Sequence, residues 1–326
     1  MKNNPKKAAV IGCGFVGAAT AFTLMQSKLF SELVLLDANH DKAEDIGHGI
    51  PFAGEMDIYA GDYDDIADCS IIIVTAGANQ KPNETRLDLV QKNVAIYKSI
   101  IPEIAKRNYE GILLIVSNPV DILTYVAQKL SGLPERRVIG SGTVLDTARL
   151  KYALSQHLNV DSRNIHSFII GEHGDSEIAA WSSTNISGVP LDDFLEMRGH
   201  MHPDMDKQEI AEKVKNSAYD IIAKKHATYY GIAMSVRRIC ECIVRDEKSI
   251  LPISTVMHGD FGIEDVCLSM PTILSAEGVE THIPIELSEK EHASLKKSAD
   301  TLKNIIAGLD FSHVTFPNVF LQYMLQ

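Results

Sequence analysis

Between Lys6 and Ser141 the apolar residues fall into short, β-branched runs: Ala8 to Ile11, Leu33 to Leu36, Met56 to Tyr59, Ile71 to Val74, Ile112 to Val116, and Val138 with Ile139. Most of these runs are apolar throughout rather than alternating, the pattern of strands covered on both faces. Helical patterns separate them, so the segment predicts a mostly parallel sheet with helices on both sides, an α/β doubly wound architecture. After Ser141 the texture changes. A helix is predicted from Leu145 to Leu158, and a longer helical stretch from about Lys207 to Arg245, where Ile210, Val214, Ala218, Ile221 and Ile222 recur at helical spacing. Asn164 to Ile170 and Ile178 to Asn185 look strand-like. Ile250 to Met257 and Asp265 to Ile285 read as a meander punctuated by Gly259, Gly262 and Gly278. Ser288, followed three residues later by Glu291, opens a capped final helix that runs to Leu309. This half reads as α+β, and the change of texture puts a domain boundary near residue 141, giving segments 1–141 and 142–326.

Composition narrows the function classes. With 45% hydrophobic and 23% charged residues, the chain fits an ordinary globular enzyme and not a disordered, collagen-like or coiled-coil protein. The formal net charge of -12 argues against a nucleic-acid or anionic-membrane partner, while leaving room for local basic pockets. No apolar stretch approaches the roughly 20 residues that span a bilayer. The first residues carry charges and then a short apolar run into glycines, which is not a secretory signal. Five cysteines, Cys13, Cys69, Cys240, Cys242 and Cys267, form no paired framework, so a reducing cytoplasm is expected.

The strongest local signal is Gly12-Cys13-Gly14-Phe15-Val16-Gly17, a G-x-G-x-x-G between the first strand and a helix. Glycines serve there because side chains would block a tight turn, the approach of backbone amides to a pyrophosphate, and helix-to-strand packing. Asp37 ends the second strand at the spacing where a carboxylate accepts both hydroxyls of an adenosine ribose and repels a 2'-phosphate. Together they predict a Rossmann-type dinucleotide domain that prefers NAD to NADP. Cys13, inside the turn, reads as a small packed side chain rather than a redox thiol.

The second half carries acid-base chemistry. Gly171-Glu172-His173-Gly174-Asp175 sets a histidine between glycines at the end of a strand-like run, and Asp146 and Arg149, three apart at a helix start, share one face. Hydride transfer to a 2-keto acid needs a proton donor, a cation for the carboxylate, and a second cation for charge developing on oxygen. Histidine suits the first role because it titrates near neutrality, and Asp146 can hold its protonated form. Arginine suits the second because its planar fork binds a carboxylate bidentately. No metal site is expected. Glu172, His173 and Asp175 match no standard zinc or calcium spacing, and Cys240 and Cys242, two apart on a helix, point in different directions. His200 and His202 read as surface residues of a loop.

The motifs GCGFVG, TAGANQKPNETR, VSNPVD, LDTAR, GEHGDSE and ATYYGIA, in this order, resemble the lactate/malate dehydrogenase family, and within it the bacterial NAD-dependent L-lactate dehydrogenases. The resemblance runs from Lys7 to about Leu309. It implies that His173 is the proton donor and acceptor, Asp146 its partner, Arg149 the carboxylate anchor, and Asn118 a hydrogen-bond donor beside the carbonyl. It makes 77–86 a mobile lid that brings Arg86 to the carbonyl and excludes water. By the same resemblance Gln80 selects the methyl of pyruvate over the second carboxylate of malate's keto acid, with Thr228 on the opposite wall. Ser141 and Ile232 fall at the nicotinamide end, and Thr75, Ala76 and Gly77 pass the adenosine side. The resemblance also points to a homotetramer and to a fructose 1,6-bisphosphate position occupied here by Lys151 and His166. Lysine there keeps the charge but loses the arginine fork, so weak or absent activation is expected. The competing readings are another 2-hydroxy acid dehydrogenase, for malate or a branched-chain acid, and a nicotinamide-binding regulatory protein without catalysis. The tail after Leu309 ends in apolar residues that can dock on a neighbour or fray.

Overall fold

The structure, a computed structural model, describes residues 4–39, 44–78, 86–200, 202–225 and 228–309. The chain opens with β1 (Asn4–Ile11), α1 (Phe15–Ser27), β2 (Glu32–Leu36), the single turns α2 (Glu44–Gly47) and α3 (Ile50–Ala53), and β3 (Asp57–Ala60). It continues through β4 (Cys69–Val74), α4 (Arg86–Ala105), β5 (Ile112–Ile115), α5 (Val120–Ser131) and β6 (Val138–Gly140). These six strands pair in parallel in the order β6-β5-β4-β1-β2-β3, the doubly wound arrangement expected from the apolar runs.

Because β1, β4 and β5 are buried on both faces, alternate residues of each run feed two separate cores. Ala9, Ile11, Ile72, Val74, Leu113 and Ile115 pack on one face with Val94 and Ile101 of α4 and Val126 of α5. Ala8, Val10, Ile71, Ile73, Ile112 and Leu114 pack on the other with Leu24 of α1 and with Val236 and Ile239, which come from much later in the chain.

The remaining elements are α6 (Val144–Leu158), the two-residue strands β7 (Ile165–His166), β8 (Ile169–Ile170), β9 (Ile178–Ala179), β10 (Asn185–Ile186) and β11 (Val189–Pro190), then α7 (Leu191–Met197), α8 (Pro203–Lys225) and α9 (Tyr230–Val244). β12 (Ser249–His258), β13 (Glu264–Ser275), β14 (Gly278–His282) and α10 (Glu289–Ala307) complete it. The meander does not stand apart: β12 pairs antiparallel with β6 at Ser254 and Gly140, so one nine-stranded sheet, ordered β14-β13-β12-β6-β5-β4-β1-β2-β3, runs through both halves. The long helix predicted over Lys207 to Arg245 is two helices, with Thr228 in the segment between them. Helical periodicity is blind to such a break because the pattern resumes after it. The strand-like stretches at 164–170 and 178–185 are each split into two short strands. α6 packs through Leu150, Leu154 and Leu158 against Ile210 and Val214 of α8 in a smaller third core. α10 begins at the expected capping box, Ser288 accepting from the Glu291 amide while the Glu291 carboxylate accepts from the Ser288 amide.

Candidate active site

β1 lies between β4 and β2, so the sheet reverses its winding at its C-terminal end, where open α/β sheets bind ligands. The Gly12 amide donates to the Leu36 carbonyl at 2.7 Å and the Thr75 amide to the Ile11 carbonyl at 2.9 Å, lashing the three strand ends together. Gly12 has φ +99°, and a Cβ there would lie 2.5 Å from the Ala76 backbone. A Cβ on Gly17 would strike the Gly12 carbonyl oxygen. Gly14, in contrast, faces open space with no heavy atom within 4 Å of a would-be Cβ. It caps α1 without any side-chain bond, so the first amides of the helix face a cradle that a phosphate fits. Phe15 at its lip is 69% exposed and stacks on Tyr229 at 5.6 Å, while Val16 is half-buried. Asp37 is fixed against this turn: its Oδ2 accepts from the Cys13 amide at 2.7 Å and its Oδ1 from the Asn39 amide at 2.9 Å. The Thr75 hydroxyl donates to the Gly12 carbonyl at 2.5 Å, and the Ser117 hydroxyl to the Ala76 carbonyl at 2.6 Å. Asn93 joins the two loops, accepting from the Ala78 amide and donating to the Asn118 carbonyl, each at 2.7 Å. Gly77 and Asn118 are exposed, and Ser141 is buried with its amide on the Ile115 carbonyl.

The cluster around His173 is built on one buried carboxylate. Asp146, in the first turn of α6 and 2% exposed, receives His173 Nδ1 on Oδ2 at 2.5 Å and Arg149 Nη1 on Oδ1 at 2.8 Å. Burial alone disfavours the imidazolium, but the Asp146 charge and hydrogen bond override it and raise the His173 pKa to about 9. Burial likewise works against an ionised Asp146, and the His173 and Arg149 cations outweigh it, so this carboxyl stays below its ordinary range. The His173 main chain is pinned as well: its amide donates to Asp121 Oδ2 at 2.8 Å, and Asp121 Oδ1 accepts from the Ser254 hydroxyl at 2.6 Å. Burial pushes Asp121 up to about 6 despite those donors. Glu177, facing the same cluster, is pushed up to about 8 by burial and then by the Asp146 charge. Glu172 is buried and turned away, accepting from Ser176 at 2.5 Å, while its amide donates to Ser298 at 3.0 Å. Lys215 of α8 donates to the Asp175 carbonyl at 2.8 Å, tying that helix to the turn that carries His173.

Residues 6–140 match the lactate/malate dehydrogenase NAD binding domain, and residues 143–311 the alpha/beta C-terminal domain of the same family. The chain belongs to the lactate/malate dehydrogenase family. It is 53% identical to an L-lactate dehydrogenase of Acetivibrio thermocellus over 316 residues, covering 95% of this chain and 100% of that relative. With an L-lactate dehydrogenase of Clostridium perfringens it shares 50% over 311 residues, 94% of this chain and 98% of the other. Among solved structures, the minor L-lactate dehydrogenase from Enterococcus mundtii in its ligands-bound form superposes with a TM-score of 0.91 at 40% identity, covering 94% of this chain and 99% of that one. The L-lactate dehydrogenase from Clostridium thermocellum gives a TM-score of 0.84 at 45% identity, covering 94% and 99%. The glycine cradle and the anchored Asp37 fit the NAD that this family's N-terminal domain binds.

As a lactate/malate dehydrogenase family member, the chain brings His173, Asp146 and Arg149 together. Arg149, expected to aim at substrate, rests with Nη1 on Asp146. Thr228 is half-buried beside the stacked Tyr229, and Ile232 packs at the edge of the core that holds Val236. Lys151 is partly covered on α6, and burial lowers its pKa; His166 is exposed on β7. Gln80 lies outside the described residues, as do most of the expected lid and the tail after Leu309, and the Arg86 side chain is likewise not described. Asp121, Glu177 and Asn93 were not singled out from sequence. An acidic residue inside the apolar stretch Val120 to Leu123 was the available signal for Asp121. Glu177 closes the GEHGDSE motif, which was its available signal, and nothing local marked Asn93.

Proposed function

We propose that this chain is an NAD-dependent L-lactate dehydrogenase that interconverts pyruvate and L-lactate, with His173 as general acid and base. The observation that carries the acid-base role is the single buried carboxylate of Asp146 gripping both His173 Nδ1 and Arg149. Bound NAD supplies or accepts the hydride. Asp146 keeps the Nδ1 proton in place, which leaves Nε2 as the nitrogen that gives a proton to the carbonyl oxygen of pyruvate and takes it back from the hydroxyl of lactate. Hydride and proton together balance the reduction. Arg149 has five N–H groups, so it can keep Nη1 on Asp146 and present the rest of its fork to the substrate carboxylate. Below about 8, Glu177 holds its proton and spares the anionic substrate a further negative charge.

Around this centre, Asn118 and Arg86 polarise the carbonyl, and Gln80 and Thr228 line the space for the methyl group. Asp37 takes the adenosine ribose, Gly12, Gly14, Phe15, Val16 and Gly17 the pyrophosphate, Thr75, Ala76 and Gly77 the adenosine side, and Ser141 and Ile232 the nicotinamide. We assign 1–141 to NAD and 142–326 to substrate, and place the enzyme in the cytoplasm as a homotetramer with weak or no response to fructose 1,6-bisphosphate at Lys151 and His166. Among the described residues no helix is long and apolar enough to cross a membrane.

The test is NADH consumption with pyruvate, oxaloacetate and 2-ketoisocaproate in parallel, each with and without fructose 1,6-bisphosphate. Pyruvate is expected to exceed oxaloacetate by at least about a hundredfold in kcat/KM, because a second carboxylate would be buried without a partner. Gln80→Arg should move that ratio toward oxaloacetate; an unchanged ratio removes Gln80 from the specificity assignment. NADH binding without turnover on any of the acids would favour the regulatory reading.

A further inference from the structure

Away from the catalytic centre, three metal-ligating side chains converge where α6 ends and α8 begins. His157 sits in the last turn of α6, His200 in the connection after α7, and Asp206 in the first turn of α8. His200 Nδ1 is 3.2 Å from Asp206 Oδ2, and His157 Nε2 is 3.5 Å from Asp206 Oδ1. One ligand atom from each lies within 4.8 Å of the others, and the two imidazole centroids are 4.5 Å apart at 36°. The three side chains are only 20 to 27% exposed. His200, expected from sequence on the surface, is half-covered; its neighbour His202 is exposed.

We propose that His157, His200 and Asp206 form a binding site for one borderline divalent transition ion, of which Zn2+ is the type, independent of the catalytic chemistry. Zinc binds imidazole nitrogen and carboxylate oxygen at roughly 2.0–2.2 Å, so ligand atoms of a tetrahedral site stand about 3.3–3.5 Å apart. The spacings to Asp206, 3.2 Å from His200 to Oδ2 and 3.5 Å from His157 to Oδ1, lie close to that edge length, so a small shift of the carboxylate lets one of its oxygens serve both. The donor set, two nitrogens and one oxygen, favours zinc or cobalt over calcium or magnesium, which take oxygen ligands. The second observation is His157 Nε2, which is buried and makes no hydrogen bond despite its 3.5 Å approach to Asp206. An ordinary histidine-carboxylate pair would have satisfied that nitrogen; an ion placed among the three atoms satisfies all of them at once, with water in the fourth position. The nearby Lys207 ammonium is already held by Asp192 at 2.6 Å, so it does not stand as an uncompensated cation against the ion.

Such an ion fastens the C-terminal turn of α6 to the N-terminal turn of α8, beside the apolar contact of Leu154 with Ile210 and Val214. The far end of α6 carries Asp146 and Arg149, and α8 leads into Thr228. The signal is invisible in sequence because 157, 200 and 206 have no metal-motif spacing.

The experiment is a titration of the untagged, EDTA-stripped full-length protein with Co2+ alone, followed by visible absorption and then by displacement with Zn2+. One equivalent of Co2+ with the intense bands of four-coordinate cobalt, displaced by Zn2+, is expected. His157→Gln and His200→Gln should each weaken uptake by at least about tenfold. His202→Gln should leave it unchanged, as should His173→Gln, which spoils the other group within ligand reach, Asp146, His173 and Glu177. Zn2+ should raise the Tm of the parent protein and not that of His200→Gln. Absence of Co2+ uptake by the folded parent overturns the proposal, and so does uptake that survives in His200→Gln or disappears in His173→Gln. Should His157→Gln not fold, the parent and His200→Gln titrations decide alone.

Discussion

The glycine turn at 12–17 and the charge cluster at His173 are built by opposite means. The first is backbone: helix amides, a positive φ and the bare surface of Gly14, with Asp37 as its one charged side chain. The second is almost entirely side-chain charge, with Asp146 between two cations and Asp121 holding the main chain from below. The backbone amides of the cradle do not titrate, so their affinity is set by shape. A buried cluster is set by the balance between desolvation and pairing, and each member fixes the protonation of the next.

The largest effect should come from the cluster. His173→Asn removes the proposed proton carrier and is expected to lower kcat on the order of 10²–10⁴-fold while NADH affinity, measured by fluorescence titration, is kept. Loss of NADH affinity in that variant would mean the two regions are not separable. Next, Asp146→Asn withdraws the charge that lifts His173 to about 9, so the alkaline limb of kcat/KM for pyruvate reduction should move toward the ordinary value of 6.5. The sign for stability follows from the raised imidazole pKa. The His173 pairing stabilises the fold fully below 6.5 and is lost as pH rises through about 9, so the parent and Asp146→Asn should converge in Tm at strongly alkaline pH. Persistence of the limb near 9 would move the origin of the shift from Asp146 to Asp121 or Glu177.

The smallest effect is the most discriminating within the cradle. Gly14→Ala meets no protein atom and should leave Tm unchanged while weakening NADH binding about tenfold, because the methyl enters the ligand's space. Gly17→Ala strikes the Gly12 carbonyl oxygen, so it should lower Tm and NADH affinity together, by overpacking of about 1–3 kcal/mol. Equal Tm losses in both variants would show that Gly14 is a structural glycine.

Both regions were readable in the sequence, though to different depths. The cradle is local: six residues and an aspartate at a fixed distance define it, and the lashing of Gly12 to Leu36 follows from the strand pairing that the apolar runs predict. His173, Asp146 and Arg149 were also singled out as candidates, because each sits in a short motif with its own turn or helix start, and the fold brings them together. What could not be read was the part of the cluster that depends on packing between distant elements. Asp121, Ser254 and His173 are 52 to 133 positions apart, and Glu177 acquires its raised pKa only from the burial and the charges around it.

The sequence by itself determined the two-faced parallel sheet, the capped final helix and the dinucleotide turn, and pointed to His173, Asp146 and Arg149 as candidates, since each is encoded by periodicity or spacing over a few residues. Only the tertiary structure decided that β12 to β14 extend the same sheet beyond β6, that the long helix divides ahead of Thr228, that Arg149 rests on Asp146, and that His157, His200 and Asp206 meet. The reason is physical. Local order follows from backbone geometry and side-chain periodicity, whereas the charge state and partners of a buried group are set by whatever else the fold desolvates beside it.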